Sequence, residues 1–260
     1  MSKTRLAHLH HALAAHVSPT EVPGIVALVS RRDETHVMTL GHQSLESDAP
    51  MRRDTIFRIA SMTKPVTAAA TMILVERCKL RLDDPVDELL PELANRRVLK
   101  SLESPVDDTV PAKRPITLRD LLTFTFGLGA VMVWPARYPI QKAMAEAGLA
   151  PSPNPTSFPA DEFMKRVGSL PLAYQPGERW LYHTGSDVFG VLIARASGQS
   201  LSAFMQDHLF GPLGMADTGF QVPADKVGRL ASNYMTDPKD RTKLAFFDDA
   251  RDSRWSRPPV

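Results

Sequence analysis

Apolar residues alternate with polar ones in the first ordered stretch of the chain. In PGIVALVSRRDETHVMTLGH, residues 23–42, two short runs, Ile25 to Ser30 and Thr35 to Gly41, flank a polar Arg-Arg-Asp-Glu turn and predict a β-hairpin. The pattern then changes. From Thr63 to Leu80 nearly every face is apolar (Val66, Ala69, Ile73, Leu74, Val75), which predicts a helix enclosed by protein. Pro65 falls in its first turn, where a proline removes only an N–H that has no intrahelical partner. LDDPVDELLPEL (82–93) and ITLRDLLTFTFGLG (116–129) predict two short helices, the second with Thr117 as N-cap, Asp120 three residues on and Gly127 as its C-terminal stop. A proline-laden excursion between Trp134 and Pro176 holds a helix from Ala160 to Val167, and a second apolar helix runs from Ser186 to Ala196. After FGPLGMADTGF the text turns polar and irregular as far as RWSRPPV. The opening MSKTRLAHLHHALAAHVSPT reads as an amphipathic helix, and no segment repeats.

Composition narrows the classes. At 260 residues, 43% of them hydrophobic and 23% charged, the chain can bury one large core or two small ones. Thirty-one basic against 29 acidic residues, with no basic stripe, argue against binding to a nucleic-acid backbone. Cys78, the single cysteine, excludes an internal disulfide, fits a reducing compartment and reads as a small buried apolar residue. His8, His10, His11 and His16 interrupt any signal-peptide core and lack Cys, Asp or Glu companions at ligand spacing, so they read as solvated surface and not as a metal site. No apolar run reaches the roughly 18 residues of a membrane span. A cytoplasmic protein without a metal or organic cofactor is expected. Asp83, Asp84, Glu88 and Glu92 read as a solvated acidic face.

Candidate chemistry starts at FRIASMTKPVTAAA, residues 57–70, where Ser61 precedes Lys64 by three positions at the mouth of the apolar helix. That spacing puts hydroxyl and amine on one helical face, and a serine needs such a neighbour to become a nucleophile. The helix N-terminus adds unpaired N–H groups and a positive dipole end that favour an oxyanion. With 18 serines and 10 lysines, chance placement gives roughly 0.7 Ser-x-x-Lys matches, so the motif acquires weight only from its position and company. Its company is PLAYQPGERWLYHTGSDVFGVLIARASGQS, in which Tyr182 and Thr184 stand two apart ahead of an apolar helix. A tyrosine serves as a base once a nearby ammonium such as Lys64 stabilises its phenolate, and Thr184 is placed to bond a substrate carbonyl or to hold Lys64.

Four ordered blocks, TIFRIASMTKPVTAAATMILVERCKLRLDDPVDELLPEL, ITLRDLLTFTFGL, QPGERWLYHTGSDVFGVLIARASGQSL and LFGPLGMADTGF, resemble the serine beta-lactamase-like hydrolases, specifically class C beta-lactamases and family VIII carboxylesterases. The resemblance spans residues 23 to about 240. It implies an α/β (α+β) beta-lactamase/transpeptidase-like fold, an antiparallel sheet flanked by helices with a mostly helical region. The expected organisation is one incomplete domain over 1–260: an N-terminal helix and hairpin in 1–60, a mostly helical part in 61–215 and an irregular return segment in 216–260. The resemblance also implies that Ser61 forms an acyl-enzyme, that Lys64 supports proton transfer and that Tyr182 is the general base.

Departures from the family pattern shape the expected substrate. Thr184 replaces an asparagine that contacts lactam side chains, and Phe124 and Phe126 replace polar residues, so Phe126 is expected to give the site an apolar edge suited to an acyl chain. Family members carry a third motif on later strands that is not found here, so the chain reads as C-terminally truncated, its sheet to be completed by a further segment or by self-association. Three readings follow: a carboxylesterase acting on short-chain esters; a beta-lactamase or D-alanyl-D-alanine carboxypeptidase; or a truncated, non-catalytic binding protein with an exposed sheet edge. An α/β-hydrolase is disfavoured by the lack of a Gly-x-Ser-x-Gly elbow.

Overall fold

The computed structural model describes residues 1–154 and 156–255. Pro155 of the proline-rich excursion and the last five positions of the return segment lie outside the described residues. The chain divides into two compact units, Met1–Ile59 together with Phe220 onward, and Ala60–Gly219.

In the first unit, α1 (Lys3–Ala14) is capped by the Ser2 hydroxyl and buries none of its residues. The expected hairpin is present as β1 (Gly24–Arg31) and β2 (Glu34–Ser44), in antiparallel register from Gly24↔Gly41 to Arg31↔Glu34. A short β3 (Ser47–Pro50) joins the far side of β2, giving the order β1-β2-β3. The return segment is not irregular throughout. A 3₁₀ turn (Ala224–Arg229) leads into a second hairpin, the strands over Asn233–Thr236 and Leu244–Asp248. It is fastened by buried charge: Arg58 pairs with Asp248, whose carboxylate also accepts from Ser253 Oγ at 2.7 Å.

The second unit holds the remaining helices, α2 (Thr63–Glu76), α3 (Leu118–Leu122), α4 (Pro139–Glu146), α5 (Ala160–Ser169), α6 (Thr184–Ser197) and α7 (Leu201–Met205), with a small antiparallel ladder, β4 (Arg97–Leu99) and β5 (Thr109–Pro111). Numbered in chain order, the two strands of the return hairpin are therefore β6 and β7. α6 packs against α2 and α3, and its Val188, Phe189, Leu192 and Ile193 are fully buried beside Leu121 and Leu74. Each fully buried aliphatic or aromatic side chain contributes about 1.5–3 kcal/mol.

Several sequence expectations change here. α2 stops at Glu76, and it buries one stripe, Thr67, Ala70, Thr71 and Leu74, while Met72 stays 40% exposed; an apolar composition did not mean enclosure on every face. Cys78 is exposed just beyond the helix end. Residues 82–93 form turns with one 3₁₀ turn at Pro91–Leu93, because Pro85 and Pro91 lack N–H groups and push their preceding residues away from helical geometry. Of the acidic cluster, Glu92 is no solvated residue: it holds Arg195 through both oxygens at 2.8 and 2.9 Å, and Asp83 pairs with Arg119. α3 does start at a capping box, with Asp120 N–H donating to Thr117 Oγ1 and Thr117 N–H to the Asp120 carboxylate. It ends at Leu122, well before Gly127. Among the described residues no single helix is long and apolar enough to cross a membrane, and no group of three or more His, Cys, Asp or Glu side chains is arranged to hold a metal ion.

Candidate active site

The site is assembled from three pieces of the second unit. Ser61 occupies a single 3₁₀ turn (Ala60–Met62) that runs into α2, and Ala60 ahead of it takes a left-handed φ of 42°. One turn later Lys64 Nζ donates to Ser61 Oγ at 3.0 Å, so the spacing of three residues does bring hydroxyl and amine together. Ser61 is exposed and Lys64 half-buried.

Tyr182 arrives from the segment before α6. Leu181 N–H donates to the Phe124 carbonyl at 2.8 Å, and Ala130 N–H donates to the Tyr182 carbonyl at 2.8 Å, so the stretch 124–130 forms a backing for the tyrosine. Glycines keep this stretch close to its neighbours. A Cβ at Gly129 would lie 2.7 and 2.8 Å from the Leu181 and Tyr182 carbonyl oxygens, and Gly127, at φ 105°, leaves no room for one beside the Tyr174 carbonyl.

So held, the Tyr182 ring lies under the Lys64 ammonium, with Nζ 4.7 Å from the ring centroid. Hydrogen bonding with Ser61 holds the phenol below the usual tyrosine range; burial opposes this, and the charge and hydrogen bond of Lys64 reinforce it. A more acidic phenol next to a serine hydroxyl is the arrangement of a general base and its nucleophile. Lys64 Nζ is the third member, set between the Ser61 hydroxyl and the face of the Tyr182 ring.

The two remaining candidates stand elsewhere. Thr184 opens α6 but is only 2% exposed, and its Oγ1 has no hydrogen-bond partner among the described residues, so it neither bonds Lys64 nor faces solvent. Phe126 has no accessible surface and belongs to the core beneath α6; it cannot edge the site. Phe124 takes that place. Its ring lies 5.8 Å from the Tyr182 ring and 6.2 Å from that of Trp180, which is itself stacked on Tyr182 at 5.5 Å. The sequence signal for Trp180 was available: residues two apart on an extended segment share a side. His183, between Tyr182 and α6, is also part of the surroundings. It has φ 87°, its Nε2 lies 3.8 Å from Asp187 Oδ2, and burial holds it below the usual imidazole range while Asp187 pulls it up.

Comparison with known proteins places the chain in a family. The Beta-lactamase family model matches residues 10–253. The chain belongs to the beta-lactamase family. It is similar to Protein Rv1367c of Mycobacterium tuberculosis, 39% identical over 221 residues, covering 85% of this chain and 53% of that protein. It is also similar to the esterase EstB of Burkholderia gladioli, 37% identical over 198 residues, 76% of this chain and 47% of the other. Among solved structures, EstCE1, described as a hydrolase with promiscuous acyltransferase activity, superimposes with a TM-score of 0.77 at 25% identity, covering 95% of this chain and 60% of its own. The beta-lactamase/transpeptidase-like fold is thereby established. This chain of the family spans about half the length of the curated relatives it matches.

Proposed function

We propose that the protein is a serine hydrolase that cleaves short-chain carboxylic esters through an acyl-enzyme on Ser61. The observation that carries this reading is the Lys64 ammonium, 3.0 Å from Ser61 Oγ and 4.7 Å from the centre of the Tyr182 ring, because one cation then serves both the nucleophile and its base. In the first half-reaction Ser61 Oγ attacks the ester carbonyl as its proton passes to the Tyr182 phenolate, and the tetrahedral oxyanion collapses with expulsion of the alcohol oxygen, which takes that proton back from Tyr182. In the second, the Tyr182 phenolate takes a proton from water as its oxygen attacks the acyl carbonyl, and the tetrahedral oxyanion collapses to the acid with expulsion of Ser61 Oγ, which takes that proton back from Tyr182. Positive charge at Lys64 offsets negative charge on the phenolate and on the reacting oxygens.

The esterase reading is supported over a beta-lactam substrate by Thr184, which is buried where an exposed amide would be needed to meet a lactam side chain, and by the similarity to an esterase. Acyl transfer to an alcohol in place of water is a second reading, favoured by the description of EstCE1. The cytoplasm is the proposed compartment.

Turnover of 4-nitrophenyl butyrate and of a chromogenic cephalosporin by wild-type and Ser61→Ala protein tests the proposal. Ester hydrolysis should fall at least about a thousandfold in the variant, and a fluorophosphonate should label Ser61 in the wild type. Unchanged ester turnover in Ser61→Ala overturns the reading; cephalosporin turnover rivalling that of the ester redirects it to beta-lactams.

A further inference from the structure

We propose that Trp180 and Phe124 form an aromatic shelf against the base Tyr182 that selects esters carrying a flat aromatic ring on the acyl side. The inference rests on the serine-hydrolase reading and narrows its substrate class.

The shelf is built from two separate segments. Trp180 and Tyr182 alternate with the buried Leu181, so both rings leave the same side of the chain, and they stack with centroids 5.5 Å apart at an interplanar angle of 24°. Phe124 closes the group, edge-on to Trp180 at 6.2 Å and tilted against Tyr182 at 5.8 Å. These separations lie in the 4.5–7 Å range over which aromatic rings attract beyond the area they bury.

Two features set the cluster apart from ordinary core packing. Trp180 is 60% exposed, so a large part of its indole surface is offered to whatever enters. Phe124, in turn, stands where a glycine is the default. Thr125 N–H donates to the Asp120 carbonyl at 2.8 Å and Phe124 N–H to the Leu121 carbonyl at 3.1 Å, the pair of bonds that closes a helix through a left-handed residue, and Phe124 is that residue at φ 58°. A chain that needed only to end α3 would do so with less strain through glycine. The ring is therefore held at a local cost, and what it touches is the tyrosine that serves Ser61. A planar acyl group attached to Ser61 can lie on the open face of Trp180. A saturated ring of the same carbon count is puckered and has no π-face to stack.

Methyl phenylacetate and methyl cyclohexylacetate separate these cases, since both place a methylene next to the ester and differ in the flatness of the six-carbon ring. The wild type should show kcat/KM about fivefold higher for the phenyl ester, and Trp180→Leu and Phe124→Leu should each bring the ratio close to one. Calorimetric titration of full-length Ser61→Ala with the same two esters reads the shelf without the chemistry, and the phenyl ester should bind about fivefold tighter. A ratio near one in the wild type, or a ratio that survives both leucine substitutions, overturns the shelf, as does equal binding to Ser61→Ala. Tighter binding of the phenyl ester with no Ser61-dependent turnover of any ester keeps the shelf and defeats the hydrolase reading.

Discussion

Substituting Lys64 tests the electrostatic core of the site directly. Methionine retains an unbranched stem of similar length and removes the charge. Two unit charges at the 4.7 Å that separates Nζ from the Tyr182 ring centroid would attract by about 3.5 kcal/mol at an effective dielectric near 20, which sets the scale for an ammonium beside a phenolate. Ser61 is exposed, so water reaches this site and screens the pair to at most about 1 kcal/mol. The sign follows from the charges. The ammonium favours the phenolate, so removing it raises the Tyr182 pKa, and the base becomes active only at higher pH. The acid limb of kcat/KM for 4-nitrophenyl butyrate should therefore move to higher pH in Lys64→Met, with a rate loss of about 10²–10⁴ from weakened proton transfer. Lys64→Arg restores the positive charge in a differently shaped group, so its limb should stay near that of the wild type even if its rate is low. Limbs that coincide in wild type and Lys64→Met, or a shift toward lower pH, would refute the claim that Lys64 acts by stabilising the Tyr182 phenolate.

Two further predictions concern the frame around the site. Gly129→Ala would drive a Cβ against the carbonyls of Leu181 and Tyr182, which must move apart; a displacement near 1 Å at the base should lower kcat/KM about 10²-fold while circular dichroism stays native. Asp120→Ala removes the capping box of α3 and the partner of Arg114, whose Nη1 and Nη2 meet the carboxylate at 2.6 and 2.8 Å; urea unfolding should show a loss of about 2–3 kcal/mol. Burial alone would raise the Asp120 pKa, but hydrogen bonds from Arg114 and Thr117 outweigh it and hold the carboxyl below its usual range. Its contribution is thus present above the unfolded value of about 3.9 and lost as pH falls through the lower folded value, so the difference between Asp120→Ala and wild type should shrink below about pH 4. A difference that stays constant down to pH 2 contradicts that linkage.

What could be read from residues alone was local. The hairpin announces itself by alternation, the Thr117–Asp120 box by a spacing of three, and the meeting of Ser61 with Lys64 by one helical turn. Tyr182 lies too far along the chain for any spacing rule to tie it to Ser61; its place ahead of an apolar helix raised it as a candidate, and the likeness to a family gave it the part of general base. The choice between Phe124 and Phe126 was beyond pattern reading, because the two stand two apart in a turn and are separated by a tertiary seat: Phe126 fills the core under α6 without accessible surface, which leaves Phe124 to face Tyr182. The same seat explains why α3 ends early. With Phe126 drawn inward, the chain must reverse before Gly127, and Phe124 absorbs the reversal.

That reversal has counterparts around the site. Six non-glycine residues have positive φ among the described residues, and three of them adjoin the reacting groups: Ala60 immediately before Ser61, His183 immediately after Tyr182, and Phe124 against the Tyr182 ring. Each such conformation costs on the order of 1–3 kcal/mol and persists only where the surroundings over-determine it. Here they do. The Ala130 and Leu181 N–H groups tie the Tyr182 segment to 124–130, and α6 is locked by a stripe of fully buried apolar residues beginning at Val188, five positions after His183. Core packing of α6 thus supplies the stability that holds three unfavourable backbone turns, and those turns aim hydroxyl, phenol and ammonium at one another. A site assembled this way should register changes in the core stripe as losses of stability, but changes at the turns as losses of alignment; Asp120→Ala in the α3 cap and Gly129→Ala in the backing of Tyr182 draw the same contrast in the surrounding frame.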